Sequence, residues 1–211
     1  MALLALVAGP ATAAGPATRG FLSANSRVDG YTLADLATSW NSWAYSTPAD
    51  VNPLLAVRCE ASPIDSKIWF LPVSLGGEYT STCAVPAGAS LVLTPGNYEC
   101  STVEAAPFHG DNEAELRDCV QAGFELLTFA SVSIDGRTTS DLADYAVTSH
   151  IATLPADNLL SPDSGQTMTK GYFLVIPPLG PGPHTVRAYD EFPAFDFQAG
   201  ITISIVVSAN S

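Results

Sequence analysis

From Lys67 onward the chain is a run of strand-length apolar segments, each closed by glycine, proline or acidic turn residues, and this restricts it to a mostly β fold. KIWFLPV, ASLVLTP and TFASVSIDG are followed by a shorter segment around Tyr145 to Thr148, then by GYFLVIPPL, HTVRAYDEF and GITISIVVS. Alternation is clearest in the last of these. Ile201, Ile203, Ile205 and Val207 share one face, opposite Thr202, Ser204 and Val206, the pattern of a strand with one side toward a core. No regular βαβ spacing is present, so the segments predict an antiparallel β-sandwich, immunoglobulin-like or jelly-roll-like, with two short helices. The spacing of Trp69 and the cysteines does not match that of true immunoglobulin domains.

The first helix is predicted from Leu33 to Tyr45. Thr32 and Asp35 can form a capping box, and Leu33, Leu36, Trp40 and Trp43 recur at three- and four-residue steps that draw one apolar stripe. Pro48 stops it. Asn112 and Glu115 cap a second helix, whose buried side is marked by Leu116, Cys119, Val120, Phe124 and Leu127, with Gly123 weakening it locally. Trp40 and Trp43 read as core anchors, because their helical spacing beside Leu36 suits packing better than display to a sugar ring.

Cys59, Cys83, Cys100 and Cys119 are even in number and allow three pairings. None forms a close C-x-x-C pair, so structural disulfides of an oxidising compartment are expected, with Cys59–Cys83 and Cys100–Cys119 preferred. The Ala-rich start MALLALVAGPATAAGPATRG suits the apolar and cleavage regions of a secretory signal, although it lacks a basic beginning. Residues 1–20 are therefore expected to be a signal-peptide remnant or a flexible tail, and 21–211 one β-sandwich domain. No apolar stretch after this start approaches the roughly 20 residues that span a bilayer. A formal charge of -13 argues against nucleic acid and anionic membrane partners.

The chain also resembles a group of uncharacterised secreted bacterial proteins, through Trp40 and Trp43, IWFL at Ile68 to Leu71, CAVPAG at Cys83 to Gly88, IDG at Ile134 to Gly136 and GYFLVIPPLGPGPHT from Gly171 to Thr185. The resemblance implies secretion and one compact domain. It transfers no catalytic residue.

Candidate chemistry is sparse. His109, Asp111, Glu113 and Glu115 crowd the entrance of the second helix, where an imidazole and carboxylates suit a divalent transition metal. Acidic groups at a helix start are equally explained by the unpaired N–H groups there. His109, Asp111 and Glu113 are thus the metal candidates, and these three together with His150 and His184 the catalytic ones. Glu99, Glu104, Asp190 and Glu191 can supply paired carboxyls for hydrolysis, but nothing in their spacing selects among the 21 acidic residues. A nucleophile elbow and a phosphate-binding loop are absent from the sequence. Trp43, Tyr45, Tyr79 and Tyr98 are the aromatic candidates for ligand contact.

The preferred function is a secreted or cell-surface binding module for an extracellular glycan or protein, with no cofactor required. The alternative is an extracellular hydrolase or metal-dependent enzyme using the His109 loop.

Overall fold

The computed structural model describes residues 20–209. The leader-like segment expected over 1–20 lies, apart from Gly20, outside the described residues. Helix α1 (Leu33–Tyr45) has the predicted bounds and the predicted cap: Thr32 Oγ1 accepts from Asp35 N at 3.2 Å while Asp35 Oδ2 accepts from Thr32 N at 2.8 Å.

Three ladders make up the β structure. In chain order the strands begin with β1 (Glu60–Ala61), β2 (Ile68–Phe70), β3 (Gly77–Val85), β4 (Ser90–Leu93) and β5 (Asn97–Ser101). After helix α2 (Glu113–Phe124) come β6 (Phe129–Ile134), β7 (Arg137–Thr139), β8 (Ala146–Thr148), β9 (Ala152–Leu154) and β10 (Gly165–Tyr172). The chain closes with β11 (Leu174–Ile176), β12 (Gly182–Phe192) and β13 (Phe197–Val207). The ladders run β1-β2-β4-β11, β3-β13-β12-β6-β7, and β5-β10-β8 with β9 also on β10. The fold is therefore mostly β and sandwich-like with two α-helices, as the alternation predicts. Two pairings depart from the antiparallel expectation, β13 with β3 and β2 with β4, both parallel. Each joins strands separated by intervening chain rather than by a tight turn.

The apolar face of β13 is buried at every position the alternation marks, from Ile201 to Val207, while Val206 is half-exposed on the other side. It joins a core that also takes in Leu36, Trp40 and Phe173. A smaller cluster forms where α2 lies on β5 and β10, from Tyr98, Cys100, Leu116, Val120, Met168 and Phe192. Helix α1 packs against β8, β9 and β10, so the site-bearing sheet is flanked by both helices.

Both preferred disulfides are present, Cys59–Cys83 with Cα atoms 5.7 Å apart and Cys100–Cys119 at 6.3 Å. Closing loops of this length contributes on the order of 3 kcal/mol each by restricting the unfolded chain. No free thiol remains, which fits an oxidising compartment. Among the described residues no helix is long and apolar enough to cross a membrane.

Candidate carboxyl cavity

Strand β5 is the edge strand of its ladder, and residues from both of its faces reach one cavity of about 320 Å³. Antiparallel pairing sets Glu99 opposite Thr169 and Cys100 opposite Met168. Cys100 and Met168 thereby join the α2 cluster, and Glu99 points to the other side, toward α1. Beyond β5 the chain folds back, with Ser101 N donating to the Phe108 carbonyl at 3.0 Å and Gly110 N to the Ser101 carbonyl at 3.3 Å. That fold-back returns Glu104 to Glu99.

Glu104 comes near enough to act on the Glu99 carboxyl by hydrogen bonding and charge. Burial is the first cause that raises Glu99 well above the ordinary carboxyl range, and the Glu104 hydrogen bond and charge add to it. The Thr167 hydroxyl opposes the shift by donating to Glu99 Oε1, and it accepts from Asn41 Nδ2 of α1 at 3.3 Å. Ser101 Oγ donates to Glu104 Oε2 at 2.9 Å. A polar chain thus runs from α1 through β10 to Glu99 on β5, while Ser101 holds Glu104.

Aromatic rings supply most of the remaining wall: Tyr45 and Tyr98, with Phe108, Phe192, Phe195 and Phe197. The Tyr45 hydroxyl is pushed up by burial and then by the Glu99 and Glu104 charges, against a hydrogen bond from Asn97, so it stays protonated. Tyr98 is only 6% exposed. Phe108 stacks on it at 5.1 Å, and a Cβ added at Gly123 would lie 2.2 Å from its ring. Gly123, which weakens α2 as a helix former, is what lets the helix settle on this ring.

Asp190 of β12 completes the lining. It is brought close by Gly96, whose φ of +78° suits glycine and whose added Cβ would be 2.9 Å from Leu127 Cδ2 and 3.3 Å from Asp190 Cβ. Among the described residues the Asp190 carboxyl has no hydrogen-bond or ion-pair partner, and burial alone pushes it up to about 7. Thr94, 1% exposed, also lines the cavity with an unpartnered hydroxyl.

Of the four carboxyls noted for hydrolysis, Glu99, Glu104 and Asp190 line this cavity, whereas Glu191 accepts from the Tyr189 hydroxyl at 2.7 Å and does not. Of the aromatic candidates, Tyr45 and Tyr98 are in it and the other two are not. Trp43 is 7% exposed in the core, with Nε1 donating to Glu60 Oε2 at 3.0 Å, and Tyr79 is half-exposed on the outer strand β3.

The histidines do not converge. His109 Nε2 meets Asp111 Oδ1 at 2.9 Å on the surface, His150 Nε2 lies 3.4 Å from Asp35 Oδ1 at the start of α1, and His184 sits on β12. His184 Nδ1 faces Asp135 Oδ2 at 2.8 Å and its Nε2 the Gly180 carbonyl at 2.9 Å. With an acceptor at each ring nitrogen the imidazolium is favoured, and its pKa is raised, first by Asp135 and then by Gly180. This pairing pins the turn between β6 and β7 to the start of β12.

The acidic loop is occupied by its own bonds. Glu113 pairs with Arg117 at 2.9 Å, and Glu115 accepts from Asp111 N at 2.9 Å and Asn112 Nδ2 at 2.7 Å. Among the described residues no group of three or more His, Cys, Asp or Glu side chains is arranged to hold a metal. Protein purified without a polyhistidine tag is expected to carry less than about 0.2 equivalents of transition metal by elemental analysis, a level set to separate contamination from occupancy. One equivalent lost on combined alanine substitution of His109, Asp111 and Glu113 would establish a metal site there.

No family model matches the chain, and no curated protein matches it. Among solved structures, a chain from the structure of PbICP-C in complex with falcipain-2 aligns over 68% of this chain and 98% of its own length. Identity is 12% and the TM-score 0.24, too slight a likeness to carry an argument about fold or function.

Proposed function

We propose that the protein is a secreted or cell-surface binding module that takes part of an extracellular ligand, the end of a glycan or a group on a protein partner, into the aromatic cavity at the edge of β5. One observation carries this reading: rings and buried polar groups from α1, β5, β12 and their connections line a single cavity of ligand size, about 320 Å³. The unpartnered hydroxyl of Thr94 within that lining supports it, because a buried polar group without a partner costs free energy that a ligand can recover.

Leu75 lies at the rim and is 48% exposed, so a change there can block the mouth without opening the core. On glycan and peptide arrays Leu75→Arg is expected to lose at least about ten-fold in affinity with an unchanged melting temperature, since surface substitutions commonly stay within about 0.5 kcal/mol. Tyr79→Ala and His109→Ala should bind as the parent does. Binding that survives Leu75→Arg and disappears in either control would move the site elsewhere.

A second reading is favoured by the closeness of the buried Glu99 carboxyl to Glu104 in the cavity wall, since paired carboxyls activate water in acid hydrolases. Substrate turnover at acid pH that disappears in both Glu99→Gln and Glu104→Gln would replace the binding reading with it.

A further inference from the structure

The cavity wall is acidic, with no basic side chain among its described residues. Glu99 and Glu104 enter it from β5 and the following loop, Asp190 from β12, and the titratable hydroxyls of Tyr45 and Tyr98 from α1 and β5. No Lys, Arg or His is among the described residues that line it. Elsewhere in the fold the exposed carboxylates Glu60, Glu78 and Glu113 each have an arginine. Carboxyls in an apolar surround either hold protons or require a cation. Burial raises Glu99 and Asp190 here, favouring their protonated forms until a cation balances them.

The remaining walls narrow the class of cation. A small hard metal ion would need several converging oxygens. Asp190 instead stands among aromatic rings without a partner among the described residues, and the electron-rich faces of Tyr and Phe attract organic ammonium groups whose substituents are themselves apolar. We infer that the cavity is a site for a small alkylammonium group, with Asp190 as its counter-charge, the rings as its cage and the Glu99–Glu104 pair as a second anionic wall. This rests on the cavity being the binding site. On entry the ammonium replaces a proton: the Asp190 carboxyl ionises and releases its proton to solvent, so charge is conserved within the cavity. Affinity consequently rises with pH.

The test uses tetramethylammonium, choline and n-butylammonium against 3,3-dimethylbutan-1-ol, the neutral isostere of choline, titrated calorimetrically into the full chain at pH 8.0 and pH 5.5. At least one ammonium is expected to bind about ten-fold or more tightly than the alcohol at pH 8.0, consistent with a desolvated cation–aromatic contact. The preference should shrink at pH 5.5 and vanish in Asp190→Asn, which retains the alcohol's affinity and so shows the cavity intact. Leu75→Arg, placing a guanidinium at the rim, should weaken every ammonium. If the alcohol binds as well as the ammonium ions, or a neutral sugar such as N-acetylglucosamine binds and is blocked by Leu75→Arg, the cavity reading stands and the ammonium inference is overturned. If none of these probes binds at 50 mM and the array ligands ignore Leu75→Arg, both are overturned.

Discussion

Replacing Trp40 by alanine is expected to lower the unfolding free energy by about 3–5 kcal/mol, the usual cost of deleting a large buried ring. Trp40 is fully buried, lies 5.7 Å from the Phe173 ring in an edge contact, and is flanked by Trp43 and Tyr45 at 6.2 Å. It therefore joins α1 both to the central core and to the wall of the cavity. Its indole Nε1 has no hydrogen-bond partner, so the side chain acts through packing. Trp40→Phe, which keeps a ring and removes the unpaired N–H, should lose much less. Chemical denaturation of the two variants compares them directly. An alanine variant within 1 kcal/mol of the parent, with ligand binding selectively gone, would recast Trp40 as a recognition residue.

The longest regular apolar patterns could be read from the sequence, whereas strands with buried polar residues could not. Helix α1 and strand β13 follow from Leu36 and Trp40 and from Ile201, Ile203 and Ile205, because alternation or helical spacing tracks burial there. Strands β5 and β10 carry Glu99, Ser101, Thr167 and Thr169 on the inside, each buried and hydrogen-bonded. A reading that sends polar residues outward takes NYECS for a loop, and likewise GQTMTK, the first part of β10. Strand β5 lines the candidate site and β10 supports it through the Thr167 bond to Glu99, so here the pattern fails where the site lies.

The candidate residues were similarly divided. Tyr98 and Tyr45 are noticeable as aromatics, and Glu99, Glu104 and Asp190 as acids, but only the fold-back after Ser101 and the close approach at Gly96 bring them together. Neither has a sequence signature. The crowded acids at His109 to Glu115 are conspicuous for a local reason, the capping of α2, with Asn112 Oδ1 accepting from Glu115 N at 3.1 Å. Gly123 illustrates the same limit. In sequence it is a weak point of a helix, and in the fold it is the contact of α2 with Tyr98.

Asp190 gives a large expected dependence of stability on pH. Its proton is held at about 7 in the folded chain and at its ordinary value of 3.8 when the chain unfolds, so the folded state binds it more tightly across that window. The contribution to stability is complete below 3.8 and is lost as pH rises through 7, amounting by pH 8 to about 4 kcal/mol at 1.36 kcal/mol per pH unit of difference. Glu99 is raised for the same first reason, burial, and acts in the same direction. Asp35 and Asp135 are lowered, first by hydrogen bonds from Thr32 and His184, and contribute stability that is lost on the acid side. The parent should therefore be markedly more stable near pH 5 than at pH 8. Asp190→Asn, which cannot ionise, should reduce that slope, gaining over the parent at pH 8 and matching it near pH 4. Urea unfolding of both chains at pH 4, 5 and 8 reads the effect, and a parent as stable at pH 8 as at pH 5 would contradict it. An ammonium ligand, by supplying the charge that ionised Asp190 lacks, should restore the parent's stability at pH 8 and leave the asparagine variant unmoved.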